Sequence, residues 1–151
     1  MNIWNEILGN QVLVCSVLGW TVAQVLKTLI DVFLNRSFNP ERLFGSGGMP
    51  SSHSATVCAL TTASGMKYGV GSFEFAVSFV LAMIVMYDAM GVRRAAGEHA
   101  KVINMMVRRG ATGISYKPKS NQELKEFLGH TPFEVLGGAL LGILIALVVP
   151  M

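Results

Sequence analysis

The chain has 151 residues, 52% of them hydrophobic and only 14% charged, with a mean hydropathy of +0.50. A soluble domain carries about 25% charged residues, so the composition excludes an ordinary soluble globule and indicates a membrane protein. The net charge of +3 does not point to nucleic acid, because basic residues on membrane proteins mark their cytoplasmic loops.

Residues 2–10 are mixed in character and lack a basic n-region. They read as an interfacial lead-in rather than a signal peptide. Residues 11–34, "QVLVCSVLGWTVAQVLKTLIDVFL", are long enough to cross a hydrocarbon core of about 30 Å. Within them Gln24, Lys27 and Asp31 are spaced by three and four. That spacing puts them on one helical face, which is expected to point into the protein. Residues 35–50 form a loop with Arg36 and Arg42.

Residues 51–68, "SSHSATVCALTTASGMKY", are rich in Ser, Thr, Ala and Gly. Such a segment suits a helix packed inside a bundle, where small residues let backbones approach. Residues 72–92 form a third span with Asp88 near its end, and Ala95–Val107 an amphipathic surface helix. The stretch "RRGATGISYKPKSNQ" is a loop broken by Gly, Pro and Ser. Residues 131–150 form a fourth span. Cys15 and Cys58 lie inside apolar stretches without metal-ligand spacing and read as inert core residues. The expectation is one all-α domain over 1–151: an integral membrane bundle of about four transmembrane helices with a cytoplasmic amphipathic helix.

Four spans alternate sides, so the loops at 35–50 and 93–130 fall on the same side. They carry nearly all the basic residues, including Arg93 and Arg94. The positive-inside rule makes that side cytoplasmic. His53, Asp88, His130 and Glu134 then collect at one depth, with Lys27 and Asp31 close by. The expected location is a bacterial cytoplasmic membrane with the site on its cytoplasmic side.

Helix starts bind anions through unpaired N–H groups and a partial positive charge. "GGMPSSH" and "GHTPFEV" both provide one. Arginine adds fork-shaped donors matched to phosphate oxygens. One histidine near a phosphate can attack phosphorus while another protonates the leaving oxygen. His130 and Glu134 stand at i, i+4, the spacing at which a carboxylate can hold the ring and fix its tautomer. A plain structural reading stands beside each of these. Pro50, Ser51 and Ser52 suit a helix start, and Thr131 with Glu134 suits a capping box. Gly138 and Gly142 form a G-x-x-x-G suited to helix packing and compatible with a homo-oligomer.

"GGMPSSHSATVCAL", "IVMYDAMGVRRAAGEHA" and "LKEFLGHTPFEVLGGALLG" together resemble the divergent branch of the type 2 phosphatidic acid phosphatase (PAP2) superfamily, related to vanadium haloperoxidases. The resemblance covers most of residues 20–145. It implies that His53 is the general acid of a Pro-Ser-Gly-His element. It implies that His130 is the nucleophile and Glu134 its orienting acid. Arg93, Arg94, Ser51, Ser52 and Lys27 are the expected phosphate-binding residues, with Asp88 and Asp31 in support. The superfamily's Lys and Arg-Pro element has Lys27, Arg36 and Arg42 as candidates, but no Arg-Pro occurs. Ser52 replaces the motif glycine and Glu134 its aspartate. Arg93 with His99 reproduces an Arg-x5-His spacing, but Ile103 stands where the acid belongs. No metal or other cofactor is implied. The expected substrate is a phospholipid or polyprenyl phosphate, and the expected activity is its hydrolysis through a phosphohistidine. A protein that binds or moves phospholipid headgroups without turnover is the alternative.

Overall fold

The computed structural model describes residues 2–36, 48–108 and 129–150, without the side chains at positions 93, 94, 107 and 108. Among the described residues the structure is all-helical: α1 (Ile3–Gly9), α2 (Gln11–Asn35), α3 (Ser52–Tyr68), α4 (Phe73–Met90), α5 (Val92–Arg108) and α6 (Pro132–Val148). The four helices of the bundle begin on polar caps. The side chains of Asn10, Ser51, Ser72 and Thr131 accept from the backbone N–H groups of Leu13, Ser54, Phe75 and Glu134. Each satisfies one of the donors that a helix start leaves unpaired. α3 stops at Gly69, whose φ of 86° suits a glycine.

α3 is the hub. It packs against α2, α4 and α6, and α6 also touches α2 and α4. Among the described residues α2 and α4 do not pack directly on each other, and α5 packs only against α4.

The distribution of side chains is that of a membrane bundle. No Leu, Ile, Phe, Met or Trp is buried among the described residues; the buried apolar groups are Val, Ala and Cys. The large side chains, such as Leu29, Phe33, Val80, Ile84, Leu140 and Leu144, face outward. Water would penalise that arrangement, whereas lipid tails accept it and leave close packing of small residues to hold the helices together. α2 and the stretch Phe73–Met106 are long and apolar enough to cross a membrane. Only 39% and 17% of their most apolar windows are buried, unlike the core helices of a soluble protein.

The four expected spans are therefore of unequal character. α6 is apolar but has 17 residues, about 25 Å of helix. α3, also 17 residues, is not an apolar helix; its small, polar surface is covered by its neighbours. The inward face expected for α2 is present: Gln24 and Lys27 are buried and Asp31 is half-buried. The surface helix is longer than expected. Only Gly91 separates it from α4, so Arg93 and Arg94 lie in its first turn rather than in a loop.

Gly138 and Gly142 are spent inside the chain. A Cβ on Gly138 would run into the carbonyl oxygen of Ser51, and one on Gly142 into that of Ala55. The G-x-x-x-G thus seats α6 on α3.

Candidate active site

Three helix ends meet at one end of the bundle. The backbone N–H of Ser51, which caps α3, donates to the carbonyl of Glu134 in the first turn of α6 at 3.0 Å. The backbone N–H of His130, just before α6, donates to the carbonyl of Ala89 in the last turn of α4 at 2.9 Å. These two bonds tie the starts of α3 and α6 to each other and to the end of α4. Both helix starts bring a partial positive charge to the same place.

His53 is the second residue of α3, and His130 immediately precedes the cap of α6. Their ring centroids lie 6.2 Å apart at an interplanar angle of 65°. His130 is buried, with 2% of its side chain exposed against 22% for Glu134. Its Nδ1 lies 2.9 Å from Glu134 Oε2. An ionised carboxylate only accepts, so in the neutral ring the proton sits on Nδ1 and Nε2 keeps its lone pair. Nε2 is buried with no hydrogen-bond partner among the described residues. The same Glu134 oxygen accepts from the backbone N–H of Thr131 at 3.2 Å, completing the capping box. The capping and ring-holding readings of Glu134 therefore coexist in one side chain.

His53, Ile84, Val85, Asp88 and Ala89 line a cleft of about 210 Å³ between α3 and α4. Asp88 thus shares a wall with His53. Ser51 is fully buried, and its hydroxyl accepts from Ser54 N–H at 3.4 Å and from Ser54 Oγ at 3.1 Å. Ser52 is buried beside it. Lys27 is buried as well, and its Cγ would lie 3.5 Å from a Cβ placed on Gly48, so its stem runs under the turn that leads into α3. Asp31 is one turn further along α2 and accepts from Asn35 Nδ2 at 2.9 Å. Arg93 and Arg94 start α5 two and three residues after Gly91, itself the residue that ends α4; their side chains lie outside the described residues. Arg36 ends α2 with a left-handed φ of 50°, and Arg42 lies outside the described residues. His99 is exposed on α5.

The structure thus brings His53, His130, Glu134, Asp88, Ser51 and Ser52 to one end. Three participants escaped sequence reasoning. The Ser54 hydroxyl, spaced three from Ser51, was readable as part of the cap. The carbonyl of Ala89 and the wall made by Ile84 and Val85 carry no sequence signal of their own, because a backbone acceptor and a lipid-facing aliphatic look alike in any span.

The family model described as "Divergent PAP2 family" matches residues 8–145. The uncharacterized membrane protein YuiD of Bacillus subtilis (strain 168) is 44% identical over 151 aligned positions, covering 95% of this chain and 96% of its own. No solved structure matches the chain.

Proposed function

The chain belongs to the divergent PAP2 family, and from that premise we propose that it is a membrane phosphatase that hydrolyses a lipid phosphate or diphosphate. One observation carries the proposal: a buried histidine held at Nδ1 by a carboxylate at 2.9 Å, with a second histidine ring 6.2 Å away. In-line phosphoryl transfer needs a nucleophile about 3–3.5 Å from phosphorus. It also needs an acid within about 2.6–3.2 Å of the leaving oxygen. Two rings roughly 6–7 Å apart meet both demands.

In the first step Nε2 of His130 attacks phosphorus and the bond to the lipid oxygen breaks. His53, protonated, gives its proton to that oxygen, so the lipid leaves as an alcohol or a monophosphate. The phosphorylated imidazole of His130 carries positive charge, which the Glu134 carboxylate offsets. In the second step water attacks phosphorus, His53 takes the proton, the N–P bond breaks and inorganic phosphate leaves. Both rings return to their starting states. The paired helix starts, Lys27, Arg93 and Arg94 supply the positive charge for the phosphoryl oxygens, the largest usual contribution in such transfers. The basic residues of the loops at 35–50 and 93–130 support a cytoplasmic position for this end, by the positive-inside rule.

The test is release of inorganic phosphate by purified protein from phosphatidic acid and from a polyprenyl diphosphate. Wild type is expected to release phosphate and His130→Ala to release none. His53→Ala, which lacks the acid of the first step and the base of the second, is expected to release phosphate at least about 100-fold more slowly, and wild type quenched during turnover to carry a phosphate label that is stable in alkali and labile in acid. Turnover by His130→Ala at the wild-type rate rejects the mechanism. Binding of phosphatidic acid without release by wild type establishes the headgroup-binding alternative instead.

A further inference from the structure

Among the described residues α5 packs only against α4, and its surface divides into three rows. Val92, Ala96, His99, Ile103 and Met106 follow at steps of four and three and are all exposed. Gly97, Ala100 and Asn104, also three and four apart, are buried. Arg94, Glu98, Lys101, Met105 and Arg108 share the third row by register. Within it Lys101 bonds the exposed Glu98 at 3.1 Å. Such steps keep residues on a single helix face. The row of Gly97, Ala100 and Asn104 is therefore the one turned into the protein, and the apolar row is turned out. The helix carries four basic residues, Arg93, Arg94, Lys101 and Arg108, against Glu98 as its acid.

The outward apolar row needs a cover, and the bilayer is within its reach. α4 has 18 residues, about 27 Å of helix, which brings Gly91 to the edge of a hydrocarbon core of about 30 Å. The ψ of Gly91 is -84°, well away from helical backbone, so α4 and α5 are two helices rather than one straight rod. Standing upright, α5 would carry Ile103 and Met106 roughly 18–22 Å beyond Gly91. That is past a headgroup layer of about 5–8 Å and into water. Val92 lines a cavity with Met83, Ile84, Tyr87 and Asp88 of α4, so the apolar row of α5 continues the lipid-facing surface of α4. We infer that α5 lies in the membrane interface at the histidine end, with its apolar row at the acyl boundary and its basic residues among anionic headgroups. An apolar row flanked by basic residues is the pattern of a helix that lies in the interface plane, and basic residues close to a membrane draw anionic lipid to it. A protein groove would use the apolar row but neither the basic charge nor the continuity with lipid. Ile84 and Asp88 line both this elbow and the histidine cleft, so anionic lipid gathered by α5 stands beside that cleft.

The test uses the full-length protein in lipid nanodiscs, with the fluorophore NBD on the cysteine of Ile103→Cys or of Met105→Cys. These positions are equally exposed in the protein, at 47% and 49%, and lie about 160° apart around the helix. The label at 103 is expected to be quenched by lipid bearing a nitroxide on its chain and shielded from aqueous iodide, and the label at 105 to show the reverse. At equal mole fraction, nitroxide phosphatidylglycerol is expected to quench the label at 103 more than nitroxide phosphatidylcholine, by about fivefold, the weight of one basic residue at an anionic surface. Lys101→Gln with Arg108→Gln is expected to bring the two lipids close to parity, as is salt at about 1 M, where the screening length falls to about 3 Å. Equal iodide access at both positions puts α5 in water and overturns the inference. Shielding of position 103 from both quenchers puts a protein on the apolar row and overturns it as well. Equal quenching by the two lipids, or a preference that salt leaves intact, overturns the anionic contact. No arm measures phosphate release, so the result stands whether or not the histidine pair turns lipid over.

Discussion

Glu134 does two jobs with one oxygen. Its Oε2 lies 2.9 Å from His130 Nδ1 and 3.2 Å from the backbone nitrogen of Thr131. The two jobs separate on substitution. Glu134→Gln retains an acceptor for the cap but carries no charge to offset a phosphorylated imidazole. Its phosphate release is expected to fall by about 10²–10⁴-fold, the usual weight of acid–base assistance. Its thermal midpoint in detergent should move little, since a lost cap costs only about 1 kcal/mol. A Gln variant that turns over like wild type would reduce Glu134 to a capping residue. The spacing of His130 and Glu134 was legible in the sequence because i, i+4 on a helix has one geometric meaning. The burial of Ser51 was not, since an N-cap serine reads the same whether its hydroxyl faces solvent or a neighbouring helix.

At the level of elements, α3 depends on contacts between backbones. Gly19 of α2 and Gly142 of α6 both approach the carbonyl of Ala55. Neither approach tolerates a side chain. Gly142→Ala must push α6 away from α3 and with it the bond between Ser51 and Glu134. The expected loss is about 1–3 kcal/mol or more, read as a lower unfolding midpoint in detergent. Gly71→Ala, in the turn before α4 with open space around it, serves as the control and should leave the midpoint nearly unchanged. An equally small loss at Gly142 would show that the helices can part without cost. The Ser- and Ala-rich composition of residues 51–68 made the central helix legible. The partner of the G-x-x-x-G was not, because small residues advertise a close approach without saying to which chain.

For the molecule as a whole, polarity is arranged by ends. The histidine pair, the end of α2 and the start of α5 share one end, while Lys67, bonded to Gln11, marks the other. Cysteines placed at Asn35 and Lys67, both exposed, should react with a membrane-impermeant maleimide from opposite faces. The first is expected to label in inverted vesicles and the second in right-side-out ones. Cys15 and Cys58 are buried and should give little background. Labelling of both from one face would dismiss the topology and the cytoplasmic site with it. Counting spans was enough to bring His53, Asp88 and His130 to one end on paper. The separation of α2 from α4 on either side of α3 was beyond such counting, because it depends on distances between helices that hydropathy does not encode.

The unequal greasiness of the helices bears on how the protein is made. α3 leaves the ribosome straight after α2, yet its hydroxyl-rich surface gives it little reason to enter lipid unaided. Much of its shielding comes from α6, which follows α4 and α5 in the chain. The central helix must therefore lean on α2 and wait through the making of α4 and α5 before its final neighbour arrives. Assembly of this bundle closes at its middle: α2 and α4 are made before the hub gains α6, and α3 is sealed only once α6 has followed them.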